Sequence, residues 1–155
     1  MYERILVPLD GSQVAEVALD HAVEIARAAN SRLVLFQALT LPSLTSVLTS
    51  GTLNAEAEAA PFRLDMQGFE LDRNEADQYL TNVCSTLVGE GIGVSIATAQ
   101  GDPAGAIVSY AKAADISLIV MSTHGSGGLS RPAFGSVAEQ VVRNSPIPVL
   151  VIPHR

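Results

Sequence analysis

The chain has 155 residues, of which 48% are hydrophobic and 16% are charged, and this composition is typical of one folded domain rather than of a disordered segment. Its formal net charge of -7 opposes nucleic-acid phosphates and disfavours a DNA- or RNA-binding role. The start of the chain has no secretory pattern, and no apolar run approaches the roughly 18–20 residues that span a bilayer. We therefore expect a cytoplasmic protein with no membrane segment and no nucleic-acid partner.

The first predicted elements alternate between strand and helix. Ile5-Leu6-Val7 is a short apolar run that predicts a strand buried on both faces. A helix is predicted over 13–30, with Ser12 as its N-cap. Leu33–Phe36 predicts a second buried strand. Spacing by three and four residues predicts the buried face of the helix: Val14, Ala18, Ala22, Ile25 and Ala29.

The middle of the chain is the part with the weakest pattern. Residues 41–73 predict a long loop or insert, in which only 54–60 is compatible with a helical turn. A helix is then predicted over 71–90, and a third strand follows around residues 94–98. Asp102-Pro103 is a helix start with an N-cap aspartate and proline at the first helical position. The buried face of the 71–90 helix is predicted at Ala76, Leu80, Val83 and Leu87.

The last third of the chain again alternates. A fourth strand is predicted over Ile116–Met121, followed by a glycine-rich loop. Ser136 and Glu139 have the spacing of a capping box and predict the start of a fourth helix. Val149–Ile152 predicts the final strand. The β-α-β-α-β-α-β-α-β order indicates a single-domain, doubly wound α/β fold, a Rossmann-like five-stranded parallel sheet with helices on both faces.

Two loops that follow predicted strands have ligand-binding chemistry. Pro8-Leu9-Asp10 follows the first strand, and the glycine-rich loop 122–134 follows the fourth. Gly135-Ser136 stands at a helix N-terminus, where unpaired N–H groups and the helix dipole favour a phosphate. Ligands of such folds bind at the carboxyl ends of the strands. The pattern alone leaves open whether this loop binds a nucleotide or only turns the chain.

Several motifs resemble those of the universal stress protein family. They are Val7–Ser12, Gly101–Pro103, Met121–Gly125, Gly135-Ser136 and Pro148–Ile152. The resemblance spans the whole chain, 1–155, except the 41–73 segment. It implies a fold similar to adenine nucleotide hydrolases and, as ligand, ATP or another adenine nucleotide, with Mg²⁺ arriving on the phosphates.

The resemblance also implies individual roles. The family pattern is Gly, two residues, Gly, nine residues, then Gly-Ser or Gly-Thr, and Gly125 and Gly135-Ser136 match it, whereas Ser122 replaces the first glycine. Asp10 would contact the adenosine part and the Ala38 backbone would face adenine. The implied nucleotide-binding positions are Pro8, Leu9, Asp10, Ala38, Met121, Ser122, His124, Gly125, Gly135, Ser136 and Val137.

Catalysis and metal binding are not indicated. No Gly-x-Ser-x-Gly motif accompanies His124, so we assign it to the loop or the ligand edge rather than to a reaction. No His or Cys cluster has metal-ligand spacing. A phospho-acceptor receiver domain is rejected, because it needs an acidic pair near Asp10 and a lysine after the last strand. Arg131, next to Pro132, is our own suggestion for an additional phosphate contact.

The resemblance implies a stress-response regulator or sensor that binds ATP and hydrolyses it slowly at most. Family members also pair through the last strand, which predicts a homodimer formed by residues 148–152. The first alternative is a dimeric interaction module of the same fold that binds no nucleotide, with Ser122 marking a degenerate pocket. The second is a hydrolase or adenylyl-transfer enzyme.

Overall fold

The computed structural model describes residues 1–40, 60–124 and 134–153. Together they form a five-stranded parallel sheet with four helices. The strands are β1 (Arg4–Pro8), β2 (Arg32–Leu39), β3 (Val94–Gln100), β4 (Leu118–Ser122) and β5 (Val149–Ile152). The helices are α1 (Gln13–Ala29), α2 (Ala60–Gly89), α3 (Pro103–Ala113) and α4 (Ser136–Asn144). The predicted α/β class and the alternating order are confirmed.

The sheet has the strand order β3-β2-β1-β4-β5, and every pair is parallel. From β1, the chain adds β2 and then β3 on one side. It then returns to place β4, and after it β5, on the other side of β1. The winding direction therefore reverses between β1 and β4, which is the position where folds of this kind bind ligands.

Two layers of helices cover the sheet. One core contains side chains of α1 and α2 with Ile5, Leu33 and Val120, all fully buried. The other contains side chains of α3 and α4 with Phe36 and Ile119, also fully buried. Because β1, β2 and β4 have helices on both faces, their sequences are continuous apolar runs without alternation. No described helix is long and apolar enough to cross a membrane.

The buried face of α1 differs from the predicted one. Ala18 and Ala22 are buried as expected, whereas Val14 and Ile25 are only half-buried and Ala29 is exposed. The helix rotates its small residues toward the sheet because alanine lets the helix approach the strands closely. The buried residues of α1 are Ala15, Ala18, Ala22, Val23 and Ala26.

Helix α2 begins at Ala60, inside the segment 41–73 for which we predicted a loop. That prediction is wrong for residues 60–70, the predicted helix over 71–90 is confirmed to residue 89, and residues 41–59 lie outside the described part of the chain. The first three turns escaped detection because Pro61 and Gly68 interrupt any apolar periodicity there. The proline is tolerated because the first turn of a helix needs no N–H donor.

The prediction of a capping box at the start of α4 is also wrong. The N-cap is Gly135, which makes no side-chain cap, and Ser136 is the first helical residue. The Glu139 carboxylate accepts a hydrogen bond from Arg143 at 2.9 Å instead of reaching back to the helix start. By contrast, Asp102 caps α3 as predicted and accepts a hydrogen bond from the Gly105 N–H at 3.0 Å.

Candidate nucleotide site at the carboxyl ends of the strands

A cleft of about 480 Å³ opens at the carboxyl ends of β1 and β2, beneath the middle of α2. We call it the β1–β2 cleft. The strand ends contribute Asp10, Gly11, Gln37, Ala38, Leu39 and Thr40. Helix α2 contributes Asp72, Glu75, Ala76 and Tyr79. Its volume lies within the range that small-molecule sites occupy.

Asp10 and Ala38, which we predicted to face the adenosine part, line this cleft together. They meet because β1 and β2 are paired, and the ladder continues beyond β1 with a 2.7 Å hydrogen bond from Leu9 N–H to Phe36 C=O. Leu9 is 3% exposed, packs in the core and is not among the residues that line the cleft.

The Asp10 carboxylate also organises the start of α1. It accepts hydrogen bonds from the Ser12 N–H at 3.0 Å and from the Ser12 hydroxyl. Ser12 in turn caps α1 by accepting a hydrogen bond from the Ala15 N–H at 3.2 Å. Gly11 between them has φ +81°, a conformation that few residues other than glycine adopt. The loop after β1 therefore holds its carboxylate at the cleft through backbone geometry and a cap.

Tyr79 forms the α2 wall of the cleft and fixes α2 to α1. Its hydroxyl donates a hydrogen bond to the Glu16 carboxylate at 2.8 Å. Burial raises the pKa of the Tyr79 hydroxyl well above its usual range, and the hydrogen bond to Glu16 and the charges of Glu16 and Asp10 raise it further. The hydroxyl consequently stays protonated, and remains a donor, throughout the physiological range.

The second half of the site lies where β4 ends and α4 begins. The Gly135 N–H donates a hydrogen bond to the Thr123 carbonyl at 2.7 Å, which joins the two elements. A Cβ atom on Gly135 would lie 2.8 Å from that same carbonyl oxygen, so the contact requires glycine. The first helical bond runs from the Glu139 N–H to the Gly135 carbonyl at 3.0 Å.

These contacts decide which N–H groups face a ligand. The Gly135 N–H, which we had predicted to hold phosphate, is already used by Thr123. Among the described residues, the N–H groups of Ser136, Val137 and Ala138 have no acceptor, as expected for the first turn of a helix. Ser136 is exposed and its side chain makes no cap hydrogen bond.

Ser122 occupies the position where the family pattern has glycine. It is 6% exposed, and its hydroxyl donates a hydrogen bond to the carbonyl of His124. The added side chain is therefore accommodated by the turn that follows β4. Thr123 is also 6% exposed, and its hydroxyl lies 2.9 Å from Nδ1 of His124.

The remaining predicted positions divide into three groups. Met121 is 5% exposed and packs in the core beneath the strand ends. Pro8 ends β1, beside β4 in the sheet. Gly125, Arg131 and Pro132 lie outside the described residues.

Five polar side chains of the cleft were not predicted: Gln37, Thr40, Asp72, Glu75 and Tyr79. Gln37 precedes the predicted Ala38 on β2 and Thr40 follows the end of that strand, so closeness in sequence was the available signal. The α2 residues recur at positions 72, 75, 76 and 79, the spacing of one helix face, but polar residues at that spacing normally indicate solvent. Among the described residues, no group of three or more His, Cys, Asp or Glu side chains can hold a metal ion.

The sequence matches the model of the universal stress protein family over residues 1–153. The chain belongs to this family. A universal stress protein of Methanocaldococcus jannaschii is 30% identical over 152 residues, covering 98% of this chain and 82% of the relative. The family resemblance predicted from the motifs is thus confirmed.

Solved structures of universal stress proteins have the same fold. UspA from Lactobacillus plantarum superposes with a TM-score of 0.80 at 24% identity and covers 97% of both chains. The universal stress protein from Archaeoglobus fulgidus in complex with dAMP superposes with a TM-score of 0.66 at 25% identity, covering 97% of this chain and 98% of the other.

Proposed function

We propose that this universal stress protein binds an adenine nucleotide, ATP in particular, and acts as a cytoplasmic regulator or sensor in the stress response. The observation that carries the proposal is the presence of two features at the carboxyl edge of the sheet, one on each side of β1. The β1–β2 cleft suits a nucleoside, and the three N–H groups at the start of α4 suit phosphate. The complex of the Archaeoglobus relative with dAMP adds support.

In this proposal, charge sets the orientation of the nucleotide. Asp10, Asp72 and Glu75 line the cleft, so phosphates are repelled from it and the base and sugar enter it. The phosphates then meet the helix dipole and the N–H groups of Ser136, Val137 and Ala138. Mg²⁺ would arrive with the phosphates and neutralise part of their charge. We expect slow hydrolysis at most.

Ser136 offers a test in which binding and stability change in opposite directions. Ser136→Glu places a carboxylate at the first position of α4, where the dipole stabilises the helix by about 0.3–1 kcal/mol. The same charge repels phosphate, so we expect the affinity for Mg·ATP to fall at least tenfold. The measurement is calorimetry with Mg·ATP, together with thermal unfolding without ligand.

Ser136→Gln is the matched control, because it has the same size without the charge and should bind more nearly like the wild type. Gly135 is unsuitable for this test, since any Cβ there meets the Thr123 carbonyl whether or not a phosphate is present. If the wild type binds no nucleotide at millimolar ATP, the proposal fails. The second candidate function, a dimeric interaction module without nucleotide, would then remain, and the exposed edge of β5 favours it.

A further inference from the structure

Gln37 has a buried hydrogen-bonding atom with no partner in the part of the chain that the structure describes. Its Oε1 is buried and accepts no hydrogen bond from any described residue. Gln37 belongs to β2 and lines the β1–β2 cleft next to Ala38. Buried amide oxygens are almost always paired, and leaving one unpaired costs free energy. An unpaired amide at the wall of a cleft indicates that a ligand supplies the missing partner.

The rest of the cleft determines which part of a ligand reaches Gln37. Among the described residues, its charged lining groups are the carboxylates of Asp10, Asp72 and Glu75, and no lysine or arginine lines it. An anionic group is therefore disfavoured there, and an uncharged group with N–H donors is favoured. In the nucleotide orientation proposed above, that group is the base.

An amide carries a donor and an acceptor side by side. The N6–H and N7 edge of adenine offers the complementary acceptor and donor, which is the pairing that glutamine makes with adenine in nucleic-acid recognition. Hypoxanthine and guanine present two acceptors, O6 and N7, on the same edge and can pair with only one side of the amide. The terminal torsion of glutamine is broad, so the Gln37 amide can turn toward the base.

We propose that Gln37 is the base-selecting residue of this protein, reading the N6–N7 edge of adenine and rejecting 6-oxopurines. This inference rests on the proposed nucleotide function. It adds a side-chain determinant of specificity to the cleft, beside the Ala38 backbone that we expect to face adenine.

The test compares AMP with inosine monophosphate (IMP) by calorimetry on the wild type and on Gln37→Leu. We expect the wild type to bind AMP about 5- to 100-fold more tightly than IMP, the range of one bidentate base contact. In Gln37→Leu the affinities for AMP and IMP should agree to about twofold, mainly because the affinity for AMP falls. The 7-deaza analogue of AMP lacks the N7 acceptor and should bind the wild type more weakly than AMP does. It should bind Gln37→Leu with the same affinity as AMP does.

Gln100→Leu is the matched control, since Gln100 is a strand-end glutamine on β3 outside the residues that line the cleft, and its variant should keep the wild-type preference. Unliganded stability gives an independent readout. Gln37→Leu removes a buried amide oxygen that has no partner among the described residues, so its Tm should rise by about 2–4 °C. A fall in Tm would mean that the amide is paired within the protein and would overturn the inference.

The outcomes separate this inference from the proposed function. If the wild type binds neither AMP nor IMP, both fail. If the wild type prefers AMP and Gln37→Leu keeps that preference, nucleotide binding stands and the role of Gln37 is refuted. An equal loss of AMP and IMP in Gln37→Leu would assign Gln37 to the shape of the cleft and would also refute base selection.

Discussion

Gly135 is required by the packing of the chain as well as by the motif that it belongs to. Its Cβ position is 2.8 Å from the Thr123 carbonyl oxygen, a distance that side chains do not tolerate. We therefore expect Gly135→Ala to lower the free energy of unfolding by about 1–3 kcal/mol, the usual cost of overpacking. Urea unfolding without nucleotide measures it.

Gly105→Ala is the control for that substitution. The added Cβ would lie 3.5 Å from Asp102 Oδ2, an ordinary contact, and alanine is the better helix former. Its stability should be unchanged or higher by up to about 1 kcal/mol. Equal stabilities of Gly135→Ala and wild type would show that the start of α4 moves away from Thr123 without cost.

Individual residues were predictable from sequence where local chemistry decides their role. Ser12 and Asp102 cap helices as expected, because a short polar side chain before a helix has one dominant use. The same rule predicted Ser136 as an N-cap, and that prediction is wrong because the close contact of Gly135 with Thr123 fixes the start of α4 one residue earlier. Gln37 could not be identified, since an unpaired oxygen is a property of the packed cleft.

The packing of α2 against α1 depends partly on one polar contact. Tyr79 donates to Glu16 at 2.8 Å, and burial raises the pKa of its hydroxyl well above 10.0. Folding thus favours the protonated form. The stability from this group is complete below the unfolded pKa near 10.0 and is lost as pH rises toward the folded pKa.

Tyr79→Phe should remove this dependence on pH. We expect the wild type to be more stable than the variant at pH 7 and the difference to shrink steadily above pH 10. Urea unfolding of both proteins between pH 7 and pH 11 measures the difference. A constant difference across that range would show that the hydroxyl titrates normally in the folded protein.

Elements were predictable where their pattern matched their environment. The central strands were predicted correctly because both of their faces are buried, and their sequence is therefore continuously apolar. The first turns of α2 were missed because their sequence lacks helical periodicity. The buried face of α1 was predicted incorrectly because its many alanines are compatible with two neighbouring helix faces. Only contact with the sheet determines which of the two is buried.

At the level of the whole chain, alternation of strands and helices was sufficient to predict a parallel sheet covered on both faces. The strand order was not predicted, because it depends on where the winding direction reverses, and the motifs after β1 and β4 indicated only which loops have ligand-binding chemistry. An α/β sheet of this order also leaves two edges, β3 and β5. Both edges have a row of backbone groups that a second chain can pair with.

We proposed from the sequence that a homodimer forms through residues 148–152, and the two edges provide a matched test. Leu150 on β5 is 37% exposed and Ile96 on β3 is 39% exposed, so a lysine at either site changes the surface to the same extent. We expect the wild type to sediment at twice the 16.2 kDa chain mass, Leu150→Lys to be monomeric, and Ile96→Lys to remain dimeric. A charge on an edge strand blocks pairing because it must be desolvated in the joint sheet. A monomeric wild type, or a dimer lost only in Ile96→Lys, would refute pairing through β5.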